Sequence, residues 1–531
     1  MNTKVSISSI MKIVNILFLI VLENFVLDCG MGFFGIAFLI FVMVYQLLFG
    51  GLQSGISKMV SIRNNKGMGG NVRYILKPAI IYVVSASLIV MVITGLSANA
   101  FCLKLWGTTF PAPVIQVFCV ALLLNGVIDV ICGYQNGNGN AIILNIANLF
   151  RMFLPVVGSF FVLPVFERYG NKVAALMKNA MVTSAYQALA VACIYVLSAA
   201  VILLVVIFLS IRLRMPGNGN NMRGIEPKRS LFASILGSSI RISLNQLFPI
   251  ISIAIVTMVY LNMSYKLGVK PENSFVNTGS VFAKVLLPMA FVYAVFSEYM
   301  SKEKYRLHID VRRDDIKMAL NRSHYMLKNS FFMLLPPAVI FTFLADPFVK
   351  VFFTGQYNLS AGFMQAGGFL ILLAGIVSAL NSMLRASGME WQALGIQVLG
   401  FVAQLVFLTT TLSGSGGNSM MALYSFYVYY VIQLVVSFIM VFRFMRFDLM
   451  DILTQIGKYG AGAIVMMIVF IILDKFVLMN VLLILLSMVL GYLLYYLTIL
   501  ALKGISKKDE AALKRTLNYY PVAFLKSRLR L

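Results

Sequence analysis

Six ionisable residues stand inside or at the edge of apolar stretches: the bases Arg151, Arg241, Lys284 and Lys12, and the acids Glu23 and Asp129. A cation in hydrocarbon costs at least ~2.5–3.5 kcal/mol on an insertion scale, so each base needs a cavity, a partner or a bound anion. A guanidinium fork or an ammonium suits phosphate oxygens. A buried carboxylate suits a coupling H+ or Na+. The chemistry these residues offer is binding and charge movement, without bond-making. Arg151 lies ~16 Å into its stretch and fits a cargo phosphate or a structural pair with Asp129. Arg241 sits at a similar depth, at the level of Lys12 in the first stretch; the alternative is a helix that begins later. Lys284 can hold cargo or snorkel outward along its stem. Glu23, with Asn24 beside it, can carry a coupling ion or a plain hydrogen bond, and Asp129 is a further coupling candidate.

Other chemistries are not expected. The five cysteines are dispersed with no CxxC pair, and the two histidines, His308 and His324, fall in a charged segment. Neither a disulfide framework, a metal site nor histidine catalysis fits that pattern. The Gly/Asn run 133–140 lacks the Lys-Ser/Thr of a phosphate-binding loop, so no nucleotide cofactor and no ATP hydrolysis by this chain are expected. The sequence reads as a non-enzyme.

The elements that must position these residues follow from composition. Of 531 residues, 60% are apolar and only 11% charged, which excludes a soluble enzyme and a disordered chain. A spanning helix needs roughly 20 apolar residues. Such stretches are predicted at 9–29, 33–55, 78–98, 113–133, 140–163, 181–210, 231–260, 275–297, 327–345, 361–384, 391–412, 420–442, 459–478 and 480–502. The first has no small-residue cleavage site after it and is expected to be kept as a helix. The chain carries 43 Lys+Arg against 18 Asp+Glu. If the N-terminus is cytoplasmic, 32 of those bases fall on the cytoplasmic side and nine on the other. That asymmetry explains the basic charge without nucleic acid and predicts both termini in the cytoplasm of a bacterial plasma membrane. The basic segment 298–328, with Ile309, Ile316 and Leu320 at helical spacing, predicts an amphipathic helix on anionic membrane lipids, or a solvated orienting segment.

The chain repeats itself. Residues 8–20 and 238–250 share seven identities in thirteen positions at an offset of 230, and three later pairs follow at offsets of 244, 246 and 249. The predicted fold is therefore all-α and polytopic, with about fourteen transmembrane helices in two parallel six-helix lobes plus two C-terminal helices. Two such lobes permit alternating access. The expected divisions are a lobe at 1–211, a Gly/Asn/Pro-rich linker at 212–230, a lobe at 231–445, extra helices at 446–503 and a basic tail at 504–531.

Glycine-centred segments carry a family resemblance: Gly50-Gly51-Leu52-Gln53-Ser54-Gly55-Ile56-Ser57-Lys58, Gly133-Tyr134-Gln135-Asn136-Gly137-Asn138-Gly139-Asn140, Ala345-Asp346-Pro347-Phe348 with Gly355, and the segment around Gly388. In that order the chain resembles the multidrug/oligosaccharidyl-lipid/polysaccharide (MOP) exporter superfamily, nearest its polysaccharide-flippase and stage V sporulation protein B branch, related to lipid II flippases. The resemblance implies a polyprenyl-pyrophosphate-linked glycan as cargo, moved from the inner to the outer leaflet; the depth of Arg151, Arg241, Lys284 and Lys12 in their stretches is what predicts the cationic cavity for it. Where relatives often have an arginine before the Gly-Tyr, this chain has Cys132, and 250–260 lacks the acidic residue common in the seventh helix.

Three rivals remain. An ion-coupled multidrug antiporter of the same fold predicts a cavity ruled by carboxylates. A membrane glycosyltransferase or polymerase needs clustered outer acids, and Asp28, Glu167, Glu272, Asp346 and Asp474 are isolated. A non-transporting scaffold of the cell envelope is the third.

Overall fold

The computed structural model describes residues 7–67, 69–213, 228–353, 355, 357–445, 449–474 and 480–504. Most of the expected linker and tail fall outside these. The described residues form helices and connecting turns, with no strand among them. In chain order the helices are α1 (Ile7–Leu22), α2 (Asp28–Phe49), α3 (Leu52–Asn65), α4 (Gly69–Trp106), α5 (Pro111–Gly137), α6 (Ala141–Met177), α7 (Met181–Arg212), α8 (Lys228–Lys266) and α9 (Pro271–Ser280). They continue with α10 (Leu287–Arg312), α11 (Ile316–Phe343), α12 (Ala345–Phe352), α13 (Tyr357–Gly367), α14 (Leu370–Ala386), α15 (Glu390–Gly414), α16 (Ser419–Met445), α17 (Leu449–Asp474) and α18 (Val481–Ala501). A 3-10 turn, Glu23–Phe25, follows α1, and a π turn, Val281–Leu286, joins α9 to α10. Thirteen helical stretches among the described residues are long and apolar enough to cross a membrane. The first predicted span is matched by a shorter apolar helix, Ile16–Phe25. The protein is an all-α, multi-pass membrane protein.

The helices show where lipid lies. On α4, Ile81, Leu88, Val92 and Leu96 are exposed, while Ile75, Ala79 and Val83 on the other face bury against Phe49, Leu52 and Ile56. Bulky apolar side chains exposed at three- and four-residue steps are what a helix presents to hydrocarbon. On α6, Phe153, Val157 and Phe160 do the same, as do Leu482, Leu486, Val489 and Leu493 on α18.

The chain divides into two compact units. The N-terminal unit holds Ile10–Ala283 with Leu408–Ala422, and the C-terminal unit holds Lys284–Phe407 with the described residues from Leu423 on. This boundary lies beyond the expected linker, because α8 and α9 pack within the N-terminal unit. Glycines make the reason visible. A Cβ on Gly32 of α2 would run into the Phe275 backbone of α9, and one on Gly279 of α9 would run into the Asp28 carbonyl of α2. At the other end of α2, the Gln46 amide donates to the Ser243 carbonyl on α8 at 3.4 Å, and the Ser243 hydroxyl donates to the Gln46 carbonyl.

Two expectations change. The segment 298–328 is no separate surface helix; it is the end of α10 and the start of α11. A turn with Asp314 at φ 58° reverses the chain, and the Asp315 carboxylate caps α11 by accepting from the Met318 backbone N–H at 3.1 Å. Arg322 closes this hairpin with 2.5 Å contacts to both Glu303 and Asp310. The first span also ends earlier than predicted. α1 stops at Leu22, Val26 is extended, and Asp28 opens α2, so residues 28 and 29 belong to the second span.

Candidate functional site

In the N-terminal unit, α2, α5 and α6 bring three polar side chains together. The Arg151 guanidinium on α6 bonds Asp129 Oδ1 on α5 at 2.9 Å. The Tyr45 hydroxyl on α2 donates to the other oxygen, Oδ2. The Arg151 and Asp129 side chains are 18% and 9% exposed. Their sequence separation puts them on neighbouring antiparallel helices at the same level. Arg151 Nε is buried with no hydrogen-bond partner among the described residues. Along α2 from Tyr45 runs a file of rings, Phe41, Phe38 and Phe34, packed with Phe118 of α5 and Tyr195 of α7. Phe41 and Phe118 stack at 5.1 Å between centroids, and Phe38 and Tyr195 lie at 5.9 Å. This interior is aromatic, and its cation is matched by a carboxylate.

Glu23 is 1% exposed, but it is not deep within a helix. It starts the 3-10 turn between α1 and α2, so its place is a span end. Lys12 lies in α1 and Arg241 in α8; the placement of both side chains is outside the described residues.

In the C-terminal unit, Lys284 is fully buried. It lies in the π turn Val281–Leu286, which has a cause in the sequence. Pro288 has no N–H, so the Lys284 carbonyl loses the donor that an α-helix would give it four residues on. π turns inside helices are frequent at functional sites.

The sequence reading missed a polar file in the same unit. On α16, Ser425, Tyr429, Gln433 and Ser437 are each at most 1% exposed. They repeat every four residues, so they share one helix face. The Gln404 amide on α15 donates to Ser425 Oγ at 3.3 Å, and the Ser437 hydroxyl donates to Asn381 Oδ1 on α14 at 3.3 Å. The four-residue spacing was the available signal. It is masked because serine and tyrosine barely lower the apolar average of a span.

Neither a family model nor a curated protein matches the sequence. Solved structures do match. An inward-facing multidrug resistance MATE family transporter of the MOP superfamily is similar with a TM-score of 0.60 and 16% identity, over 82% of this chain and 96% of that one. The lipid II flippase MurJ in an inward closed conformation is similar with a TM-score of 0.58 and 14% identity, over 96% of this chain and 98% of that one. The chain has the fold of the MOP superfamily. A MOP superfamily transporter from Pyrococcus furiosus, described as having a binding pocket of reverse polarity, is similar with a TM-score of 0.52 and 17% identity, over 82% of this chain and 94% of that one. On this MOP fold the described residues give an aromatic interior with its ion pair in the N-terminal unit, and, in the C-terminal unit, a polar file along α16 and, separately, a buried lysine. Fold similarity of this degree leaves the cargo to be argued from those residues.

Proposed function

We propose that the protein is a lipid-linked oligosaccharide flippase. It moves an undecaprenyl-pyrophosphate-linked saccharide from the inner to the outer leaflet of a bacterial plasma membrane by alternating access, coupled to H+ or Na+. The observation that carries this reading is Lys284, fully buried in a π turn of a spanning helix. An ammonium inside a span is a point charge with three donors, a group that suits the oxygens of a diphosphate passing through the membrane. The polar file of α16 supplies hydroxyls and amides suited to a glycan. The match to the lipid II flippase supports a lipid-linked cargo, and it covers 96% of the chain against 82% for the inward-facing multidrug neighbour.

The test is a flip assay in proteoliposomes with a fluorescent polyprenyl-pyrophosphate sugar, comparing wild type with Lys284→Met, Arg151→Ala and Arg241→Ala. Protein-dependent transfer that Lys284→Met abolishes is expected. The multidrug antiporter is the second reading, favoured by the buried carboxylate of Asp129 between Tyr45 and Arg151. Exchange of drug-like cations without transfer of any lipid-linked sugar would replace the first reading with this one. Transfer of neither cargo would leave the scaffold.

A further inference from the structure

We propose a phosphate-binding site within the C-terminal unit, built by Lys304 of α10 and Arg385 of α14 with Ser378 and Tyr293. It stands apart from Lys284, which lies 20 residues earlier in the same span, ~30 Å along a helix. It does not depend on the transport reading.

Four observations meet here. Lys304 and Arg385, on different helices, lie within electrostatic reach of each other, although like charges repel. The Lys304 ammonium donates to a neutral partner, Ser378 Oγ, at 2.9 Å. Tyr293 shares a hydrogen bond with the same Ser378 and also lies within reach of Arg385. The fourth is the charge balance. Glu303, next to Lys304 in sequence, is already held by Arg306 at 3.0 Å and Arg322 at 2.5 Å. Glu390 is the carboxylate within reach of Arg385, and it also reaches His308. Lys304 and Arg385 therefore stand together beside Glu390, with His308 a turn away from Lys304.

The neighbouring bases are held differently. A few residues along the hairpin, Arg322 has two carboxylates, and Lys328 has Asp451 at 2.7 Å. Lys304 has no ion pair among the described residues. A guanidinium fork, an ammonium and two hydroxyls give a planar donor pair, a point charge and neutral hydrogen bonds, the donor set that phosphate oxygens take. Two sources offer that chemistry: the diphosphate of a lipid-linked sugar and the headgroup of an anionic phospholipid.

The experiment uses the purified full chain in neutral detergent. Binding of a fluorescent short-chain prenyl pyrophosphate and of a fluorescent phosphatidylglycerol is titrated separately, with inorganic pyrophosphate as competitor. Wild type is compared with Lys304→Met, Arg385→Gln, the charge-keeping Lys304→Arg, and Arg306→Gln at the hairpin surface. Each neutralising variant is expected to weaken binding by about tenfold or more, since a charge-assisted hydrogen bond is worth roughly 1.5–3 kcal/mol. Lys304→Arg and Arg306→Gln should bind as wild type does, and pyrophosphate should compete. Tighter binding of the prenyl pyrophosphate assigns the site to the cargo; equal or tighter binding of phosphatidylglycerol assigns it to a membrane headgroup. Unchanged binding in both neutralising variants, or no competition by pyrophosphate on wild type, overturns the site. The competition arm needs no variant, so a substitution that fails to fold leaves the proposal testable. A flippase with no phosphate site here would still transfer sugar in the vesicle assay, so the two readings fail separately.

Discussion

In the N-terminal unit, Arg151 meets Asp129 and Tyr45 at one end of a file of packed rings. In the C-terminal unit, Lys304 meets Ser378, and a file of serine, tyrosine and glutamine runs along α16. The two regions bury similar polar types and settle their charge differently. A cation matched by a carboxylate inside a protein is a tether: it fixes helices in place and is costly to break. A cation matched by hydroxyls keeps most of its charge available to a ligand. The difference teaches that depth alone does not identify a cargo residue. Arg151 stands inside a span, and its surroundings suit holding α2, α5 and α6 together.

That contrast can be broken most sharply at Asp129. Asp129→Asn should destabilise the protein by about 3–5 kcal/mol, because it leaves Arg151 buried without its partner. The double variant Asp129→Leu with Arg151→Met should recover most of that loss. Thermal unfolding in detergent reads both, and additive losses would refute the tether. Next in size is the glycine seam between α2 and α9. Gly279→Val forces a side chain against the Asp28 backbone and should cost about 1–3 kcal/mol, read as a lowered Tm. The same change at Gly395, where an added Cβ meets nothing within 4 Å, should cost far less. Lys284→Met sharpens the other side of the comparison. Sugar transfer should fall by about tenfold or more while Tm stays within a few degrees, the signature of a charge kept for a ligand. A large drop in Tm would make Lys284 a tether as well. The smallest effect belongs to the polar file: Ser437→Ala removes its bond to Asn381 and should cost about 1 kcal/mol.

Much of the architecture was legible because hydrocarbon imposes one rule on every span. Each predicted apolar stretch meets a helix, and the Arg151–Asp129 pair was one of two open alternatives. The rest depended on tertiary contacts that local pattern does not report. Glu23 looked deep because the apolar run continues past Leu22, but α1 ends there and a 3-10 turn follows. Lys304 falls in the basic segment 298–328, and charge near a span end usually marks the water boundary; here α10 carries it on. The hairpin of α10 and α11 was misread for the same reason. Its apolar residues keep helical spacing on both sides of the reversal at Asp314, so one helix and two helices look alike in sequence.

The π turn at Val281–Leu286 has a consequence for anyone comparing this chain with others. A π turn holds one residue more than an α turn, and one residue is worth about 100° around a helix axis. The reading frame of the helix therefore slips inside the span Pro271–Arg312. A relative without the turn, matched here without a gap, would have every residue on one side of Lys284 assigned to the wrong wall of the helix. The correct correspondence needs a one-residue gap between Val281 and Leu286, with Pro288 as the landmark that says where to place it.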